Sequence, residues 1–398
     1  MGSGGREHAL AWALARSGGP TELHAAPGNP GIASLAVCHP VRADDLASLV
    51  PLAAELAVDL VVVGPEAPLV AGLADALRRR GIAVFGPSGA AAQIEGSKGF
   101  AKEVMEDAGV PTSRNLAVAR PPCVVKADGL AAGKGVWVCR TQGELDAGLR
   151  AAKALGQPFH VEELLEGEEV SLFALCDGTT AVPLPAAQDY KRIGDGDEGP
   201  NTGGMGSYSP VPRLPAAEVA DLVDELCRPV LAELVRRRAP FTGVLFAGLM
   251  LTEDGPRVLE FNCRFGDPET QSLLPLLEGN LLEALAAAAV GALRGMALTA
   301  SERAAVTIVL AARDYPERGD SGTPIAGVAD AEATGALVFH AGTALRGGRL
   351  VTNGGRILSV TALGDSVAEA RDAAYAAAAR IDFAGVRYRR DIASLAHA

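Results

Sequence analysis

The chain has 398 residues, of which 48% are hydrophobic and 21% are charged, and its formal net charge at pH 7 is -12. This length predicts two to four domains, and the acidic balance argues against a general binder of nucleic acid or of an anionic membrane surface. No apolar run approaches the roughly 18 residues of a membrane span. Six scattered cysteines without a C-x-x-C pair predict reduced, mostly buried thiols, so we expect a cytoplasmic protein.

The first part of the chain alternates between helical and strand-like patterns. The apolar spacing predicts helices over 8–16, 46–57 and 70–80 and strands over 23–26, 60–63 and 83–85. Strands that alternate with helices of this length predict a parallel, doubly wound sheet, in which ligands bind at the carboxyl ends of the strands. Glycine-bearing turns follow the predicted strands, at Gly28, Gly64 and Gly86.

The opening stretch GSGGREHAL, residues 2–10, is a glycine-rich turn that runs into a helix, and such a turn points free backbone N–H groups at a phosphate. The strand that normally precedes it is missing from the sequence. Because that strand is central in a doubly wound sheet, we expect an apolar slot between its neighbours and a true start upstream, about six to eight strand residues earlier. A dinucleotide-binding fingerprint is the alternative, but Glu7 replaces the last glycine of G-x-G-x-x-G and Pro27 stands where an acidic ribose ligand is expected.

A second glycine-rich stretch, VVKADGLAAGKGVWV (residues 124–138), follows a predicted helix and strand. Only three residues separate Gly129 from Gly133, and a glycine follows Lys134, so the stretch is not a Walker A loop. We interpret it as a β-hairpin flap whose backbone N–H groups and two lysines, Lys126 and Lys134, hold phosphate. An ordinary glycine-rich hairpin with solvated lysines is the alternative.

Two polar segments follow the flap. HVEELLEGEEVSL, residues 160–172, carries five carboxylates within eight residues, and such crowding is costly without cationic or hydroxyl partners. A carboxylate that accepts hydrogen bonds from a ribose diol explains it, with a solvated acidic turn as the alternative. Residues 186–210 form a predicted long polar loop with Asp189, Lys191 and clustered glycines, and a loop of this length inside a domain favours a functional role.

The stretch RVLEFNCRFGDPE, residues 257–269, ends a predicted hairpin. Glu260 and Asn262 are two positions apart on a strand, so their side chains share one face. Carboxylate and amide oxygens are ligands suited to Mg²⁺ that bridges phosphates, and placing them in an apolar strand is expensive without a cation. The turn that follows carries Arg264 and Asp267, a candidate substrate rim.

The remaining pattern predicts a helical stretch over 269–293 and then a separate, small α+β unit. Its predicted strands cover 305–311, 336–340 and 357–360, and its predicted helix covers 366–380.

Together these motifs resemble the ATP-grasp superfamily and, within it, the phosphoribosylamine–glycine ligases, also called glycinamide ribonucleotide synthetases. The matching stretches are GSGGREHAL, APGNPG, VGPEAPLV, FGPS, EGSKGF, VVKADGLAAGKGV, EELLEGEEVS, QDYKRIGDGDEGPNTGGMGSYSP, GLM, EFNCRFGDPETQ and VTNGGR. The resemblance implies a multidomain α/β and α+β fold. We expect an N-terminal substrate-binding α/β domain with a truncated first strand, an ATP-grasp domain with a lid subdomain, and a C-terminal α+β domain, over 1–97, 98–297 (lid about 112–161) and 298–398.

The resemblance also implies a reaction, in which ATP phosphorylates the glycine carboxylate and the amine of 5-phosphoribosylamine displaces phosphate, an early step of purine biosynthesis. It implies ATP contacts by Lys98, Lys126, Gly133, Lys134, Gly135, Glu162, Glu163, Leu165 and Glu169. Main-chain groups near Glu162, Glu163 and Leu165 would face adenine, and Glu169 would face ribose. It implies Mg²⁺ or Mn²⁺ at Glu260 and Asn262, and catalytic roles for Arg264, Asp267 and Lys191. Substrate contacts fall on Asp189, Lys191, Arg264, Gly4, Gly5, Arg6, Gly28 and Asn29, the last five around the ribose phosphate.

As partners we therefore expect two small molecules, glycine and 5-phosphoribosylamine, with no nucleic acid and no membrane, and a monomer or weak oligomer. The stretches between residues 112 and 123 and between 145 and 160 are shorter than is usual in the family, which would trim the lid. Two alternatives remain: another ATP-grasp carboxylate ligase, against which GPNTGGMG and NCRFGDPE argue, and a homologue without enzymatic activity.

Overall fold

The computed structural model describes residues 1–18, 21–130 and 135–394. In its N-terminal region β3 pairs in parallel with β4, as the alternating pattern predicts, and β1 pairs in parallel with β2, a strand that was not predicted. The helix predicted over 70–80 begins later than predicted, at Leu73, because Gly72 before it adopts a left-handed backbone (φ +84°), and a separate short helix ends at Val70. The elements are β1 (His24–Ala25), β2 (Val37–Cys38), β3 (Leu60–Val62), β4 (Ala83–Phe85), α1 (Gly5–Ala15), α2 (Leu46–Glu55), α3 (Glu66–Val70), α4 (Leu73–Arg78) and α5 (Gln93–Gly96).

Met1 and Gly2 connect the two parallel strand pairs. The amino group of Met1 donates to Val62 O at 2.9 Å, and Gly64 N–H donates to Met1 O at 3.1 Å. On the other side, Gly2 N–H donates to Ala26 O at 2.8 Å. These two residues therefore hold the turn before α1 from both sides, in the space between β1 and β3.

The central region contains the lid, which consists of the three-stranded sheet β6-β5-β7 and helix α7 packed on it. The lid elements are β5 (Cys123–Ala127), β6 (Val136–Cys139), α7 (Gln142–Ala154) and β7 (Phe159–Glu163). Helix α6 (Lys98–Asp107) precedes the lid, and its N-cap Ser97 accepts a hydrogen bond from Phe100 N–H. The predicted flap is thus an antiparallel hairpin of β5 and β6, with Val125 opposite Trp137.

The rest of the central region forms most of a large sheet. Its elements are β8 (Glu168–Asp177), β9 (Ala181–Asp189), β10 (Arg192–Gly194), β11 (Glu198–Asn201), β12 (Gly206–Ser209), α8 (Ala216–Leu222), α9 (Arg228–Arg236), β13 (Thr242–Thr252), β14 (Gly255–Asn262), α10 (Glu269–Leu273), β15 (Leu277–Glu278), α11 (Leu281–Ala289) and β16 (Thr299–Ala300). Two predictions need correction. The loop predicted over 186–210 contains β10, β11 and β12, because its polar residues pair with each other across a hairpin. The helical stretch over 269–293 is interrupted by β15, because the first helix ends at Leu273 and passes through a short 3₁₀ turn that contains Pro275.

The C-terminal strands extend the central sheet. Strand β12 pairs antiparallel with β17, which gives one continuous sheet with the order β14-β13-β8-β9-β12-β17-β22-β19. A buried alanine face of α13, including Ala370 and Ala374, packs on this end of the sheet. The elements are β17 (Ala304–Ala311), β18 (Asp320–Pro324), α12 (Val328–Glu332), β19 (Leu337–His340), β20 (Thr343–Arg346), β21 (Arg349–Gly354), β22 (Arg356–Gly364) and α13 (Val367–Ala378).

Among the residues with described structure, no helix is long and apolar enough to cross a membrane.

Candidate active site

A cleft of about 2640 Å³ lies where the N-terminal region, the lid, the large sheet and the C-terminal region meet. It brings together most of the predicted site residues: Arg6, Lys98, Lys126, Glu162, Glu163, Leu165, Glu169, Asp189, Lys191, Glu260, Asn262, Arg264 and Asp267. Five predicted residues do not line the cleft: Gly4, Gly5, Gly28, Asn29 and Gly135. Two more, Gly133 and Lys134, lie outside the described residues, so their predicted role stays a prediction.

Under the lid, the buried carboxylate of Glu162 forms ion pairs with two lysines. Lys126 Nζ lies 2.7 Å from Glu162 Oε2, and Lys102 Nζ lies 3.0 Å from Glu162 Oε1. His160 Nε2 lies 3.0 Å from the same Oε1. Burial opposes ionisation of Glu162, but His160 and the two lysines outweigh it and hold the pKa of Glu162 far below its usual range. The Glu162 side chain therefore holds Lys126 in place. Lys102 was missed by the sequence analysis, although it stands one turn after Lys98 on α6.

At the base of the flap, Lys98 joins α6 to the loop after β5. Its backbone N–H donates to Asp128 Oδ1 at 2.5 Å, and its Nζ donates to Gly129 O at 3.1 Å. On the opposite side of the hairpin, Ala127 N–H donates to Gly135 O at 2.8 Å. Two lysines, Lys98 and Lys126, thus lie on either side of the entrance to the flap.

The linker between β7 and β8, residues 164–167, runs along the cleft. Glu163 is already paired, because its N–H donates to Arg114 O at 3.0 Å and its carboxylate lies 2.6 Å from Arg114 Nη2. The N–H groups of Leu164 and Leu165 have no hydrogen-bond partner within the part of the chain that the structure describes. This linker can therefore present main-chain groups to a planar heterocycle, and Leu165 is better placed for it than Glu163.

Further along the cleft, carboxylates outnumber cations. Lys191 Nζ lies 2.5 Å from Glu169 Oε2. Burial lowers the pKa of Lys191, but Glu169, Asp189 and Glu260 more than offset it and raise that pKa. Burial also raises the pKa of Asp189, and nearby carboxylates add to the effect against the opposing charge of Lys191. A site with this excess of negative charge is suited to a divalent cation.

Glu260 and Asn262 lie in alternate positions of β14, opposite Gly248 and Phe246 of β13. The side chain of Asn262 is buried, and its Oδ1 accepts a hydrogen bond from Arg264 Nη2 at 3.2 Å. Within the described ranges, no group of three or more His, Cys, Asp or Glu side chains is arranged to hold a metal ion. Glu260 and Asn262 offer one carboxylate and one amide oxygen, and a cation held by them would need further oxygen ligands.

Two arginines join the N-terminal region to the segment after β14. Arg264 Nη2 lies 3.0 Å from Glu95 Oε1, and its Nε lies 3.2 Å from Glu66 Oε2. Burial lowers the pKa of Arg264, but Glu95 and Glu66 outweigh it and raise that pKa. Arg6 Nη1 donates to Phe265 O at 3.1 Å. Both guanidinium groups remain on the cleft wall, where they offer positive charge near the acidic cluster.

The predicted phosphate cradle before α1 is filled by the protein itself. Gly4 N–H, expected to be free for an anion, donates to Glu7 Oε2 at 2.6 Å. A Cβ atom at Gly64 would collide with the same glutamate side chain. Asn29 Nδ2 donates to Ser3 O at 2.9 Å and to His340 O at 2.7 Å, so Asn29 holds neighbouring turns together. Of the predicted ribose-phosphate set, Arg6 is the residue that reaches the cleft.

Sequence reasoning missed a contribution from the C-terminal region. Arg356, the last residue of VTNGGR, lies on the cleft wall with its Nη2 at 3.0 Å from Asp267 Oδ2. Its Nη1 donates to Asp267 O at 2.8 Å and also to Gly203 O. The sequence signal for Arg356 was the motif VTNGGR, which is among the stretches that resemble the family but to which no role was assigned.

Comparisons with known proteins agree on all three regions. Family models described as phosphoribosylglycinamide synthetase match residues 1–95 (N domain), 96–270 (ATP-grasp domain) and 305–395 (C domain). The chain is 51% identical to a phosphoribosylamine–glycine ligase of Rhizobium meliloti over 98% of this chain and 96% of that protein. It is also 51% identical to one of Streptomyces coelicolor, over 100% and 98%.

Solved structures give the same result for the fold. A crystal structure of phosphoribosylamine–glycine ligase from Thermotoga maritima superposes with a TM-score of 0.84 at 35% identity and covers 98% of both chains. The biotin carboxylase domain of a Hydrogenobacter thermophilus 2-oxoglutarate carboxylase, in complex with MgADP, superposes with a TM-score of 0.71 at 18% identity, over 97% of this chain and 90% of that one. This second likeness shows the fold alone.

Proposed function

Because this chain belongs to the phosphoribosylglycinamide synthetase family, we propose that it is an ATP-dependent ligase that joins glycine to 5-phosphoribosylamine. The products are glycinamide ribonucleotide, ADP and phosphate, in the purine biosynthesis step for which its relatives are named. The observation that carries the proposal is the single cleft that holds lysines of the lid, the oxygen pair of β14 and the arginines of the N-terminal region.

The reaction has two steps. A glycine carboxylate oxygen attacks the γ-phosphorus of ATP, the bond to the ADP oxygen breaks, and glycyl phosphate forms. The amine nitrogen of phosphoribosylamine then attacks the carbonyl carbon, the bond to the phosphate oxygen breaks, and the nitrogen loses a proton. Neither step needs a covalent enzyme intermediate, so the protein contributes mainly position and charge neutralisation.

At the nucleotide end, Lys98 and Lys126 bind the phosphates, and the flap that contains Gly133, Lys134 and Gly135 covers them. The main chain around Glu162, Glu163 and Leu165 faces adenine, where the Leu165 N–H is available as a donor. Glu169 accepts hydrogen bonds from the ribose hydroxyls. The buried pairing of Lys126 with Glu162 supports this arrangement, because it holds the ammonium group at the mouth of the flap.

Glu260 and Asn262 would hold Mg²⁺ or Mn²⁺. Such a divalent cation would supply positive charge that offsets the negative charge of the transferred phosphoryl group. The excess of carboxylates around Lys191 supports a cation at this place.

At the substrate end, Arg264, Asp267, Asp189 and Lys191 bind glycine and the amine of phosphoribosylamine. The ribose phosphate lies towards Arg6, with the turns of Gly4, Gly5, Gly28 and Asn29 behind it. The domains extend over 1–97, 98–297 and 298–398. The protein acts in the cytoplasm as a monomer or weak oligomer, and its six free cysteines support a reducing compartment.

The test is ADP release by the purified protein with Mg²⁺, with each substrate omitted in turn. We expect ADP only when glycine and phosphoribosylamine are both present. Bicarbonate in place of glycine is the control for another ATP-grasp carboxylate ligase. ADP release that is equally fast without glycine would overturn the proposal.

A further inference from the structure

One guanidinium group lies where three glycine-containing motifs meet. Arg356 begins β22 and is fixed in the large sheet, since it pairs with Ala311 of β17 and its carbonyl accepts from Gly342 N–H. Its side chain extends from the large sheet to the central region. There it binds two separate segments, the turn at Asp267 and the turn at Gly203 and Gly204.

The first segment carries a predicted catalytic carboxylate. Asp267 Oδ2 lies 3.0 Å from Arg356 Nη2, and Asp267 O accepts from Arg356 Nη1 at 2.8 Å. The other carboxylate oxygen, Oδ1, accepts from Gln271 Nε2 at 2.7 Å. The Asp267 side chain is therefore held from two sides, and only 17% of it is exposed, on the wall of the cleft.

The second segment leads to Lys191. Thr202 N–H and Oγ1 both donate to Lys191 O, at 2.7 and 2.9 Å, and Gly204 N–H donates to Thr202 Oγ1 at 2.9 Å. Arg356 Nη1 donates to Gly203 O, between Thr202 and Gly204 of the same turn. A Cβ atom at Gly203 would lie 3.1 Å from Arg356 Cζ, so the turn approaches the guanidinium group closely.

We propose that Arg356 is a positioning residue of the ligase reaction, through which the C-terminal region fixes Asp267 and the backbone of Lys191. This inference rests on the proposed function. The guanidinium group uses its Nη atoms on protein oxygens, so it acts through these two residues and not on a substrate. Both are at the substrate end of the cleft, away from the linker that faces adenine. The Lys191 side chain also pairs with Glu169, which is proposed to face the ribose of ATP. Loss of the Arg356 side chain should therefore affect glycine and phosphoribosylamine much more than ATP.

The test compares Arg356→Met and Arg356→Lys with Arg349→Met, a matched control in which an exposed arginine of β21 is changed. A lysine keeps the charge, but one ammonium group does not have the planar fork that reaches both segments. We expect kcat/KM for glycine or phosphoribosylamine to fall at least tenfold in Arg356→Met and less in Arg356→Lys, because hydrogen bonds to a charged group are lost. The KM for ATP should stay within about twofold, and Arg349→Met should match the wild type.

Thermal melting of each variant separates positioning from folding. The proposal is supported if Arg356→Met melts at the wild-type temperature and loses kcat/KM for glycine or phosphoribosylamine while its KM for ATP is retained. Turnover of both Arg356 variants within about threefold of the wild type, or a KM for ATP that rises as much as the other two, overturns it. If Arg356→Met melts lower, guanidinium ion at millimolar concentration is added to it, and failure to restore turnover also counts against positioning. A wild-type protein without ligase activity would instead overturn the proposed function.

Discussion

The two ends of the cleft are constructed differently. The nucleotide end consists of α6, the lid and the linker after β7, and the ion pairs of Glu162 and the backbone contact of Lys98 join residues of one continuous stretch, 98–162. The substrate end joins residues from all three regions, with Arg6 and Glu66 from the first, Asp267 from the second and Arg356 from the third. A local stretch can be recognised from its own sequence pattern. The substrate end depends instead on contacts between residues that are far apart in the chain, such as Arg6 and Phe265, which are 259 positions apart.

The first prediction lies where the two ends meet. Glu260→Ala removes the carboxylate proposed to hold the cation, so turnover should fall by about a thousandfold or more, because the moving phosphoryl group loses charge neutralisation. The measurement is steady-state ADP release, with circular dichroism to confirm folding. Glu302→Ala, at an exposed position, is the control. A rate for Glu260→Ala close to that of the wild type would show that the cation is held elsewhere.

The second prediction concerns the charged network of the nucleotide end. Glu162→Gln leaves Lys102 and Lys126 without their shared counter-charge, so the free energy of unfolding should fall by about 3 kcal/mol and the KM for ATP should rise. Urea unfolding at pH 7 and ATP titrations measure both. Glu163→Gln is the matched control, since its partner Arg114 is exposed and such pairs contribute little. Equal effects of the two substitutions would contradict the importance of the buried network.

The third prediction concerns pH and the contact between α1 of the N-terminal region and β19 of the C-terminal region. His8 of α1 accepts from His340 N–H at 2.8 Å, and burial lowers the pKa of His8 to about 3 and that of His340 to about 4. Both are neutral when folded but become protonated in the unfolded chain below about pH 6.5, so stability is present above that pH and is lost as pH falls. Each histidine should lower the free energy of unfolding by about 2 kcal/mol at pH 5 relative to pH 7.

Urea unfolding at the two pH values measures this, and His340→Asn should reduce the difference by about half. The Glu162 carboxylate serves as a comparison within the same protein, because it stays ionised between pH 5 and pH 7. If His340→Asn kept the full pH dependence of the wild type, other groups would be responsible.

The smallest expected effect is at the linker. Leu165→Pro removes the N–H proposed to face adenine, so the KM for ATP should rise about fivefold, the effect of one lost hydrogen bond. Leu165→Ala keeps this N–H and is the control, and the KM for glycine serves as the second readout. Identical ATP constants for the two variants would place the adenine contact on another main-chain group.

The sequence patterns predicted those structural features that depend mainly on residues close together in the chain. Strand alternation put Glu260 and Asn262 on one face, and the bounds of β4 agree with the predicted range 83–85. The prediction that the Gly4 N–H is free to bind phosphate is wrong, because Glu7, three positions later, caps the helix and accepts a hydrogen bond from this N–H. Arg356 and Lys102 could not be assigned from the sequence, since their roles arise from partners brought close only by folding.

The pairing of β12 with β17 has a consequence for how this protein can be divided. A chain cut between them would expose the N–H and C=O groups along β12, and an unpaired strand edge of this kind promotes intermolecular sheet growth. The C-terminal region therefore protects the central sheet from aggregation, in addition to what it contributes to the cleft. Expression of the first two regions alone should therefore give insoluble material.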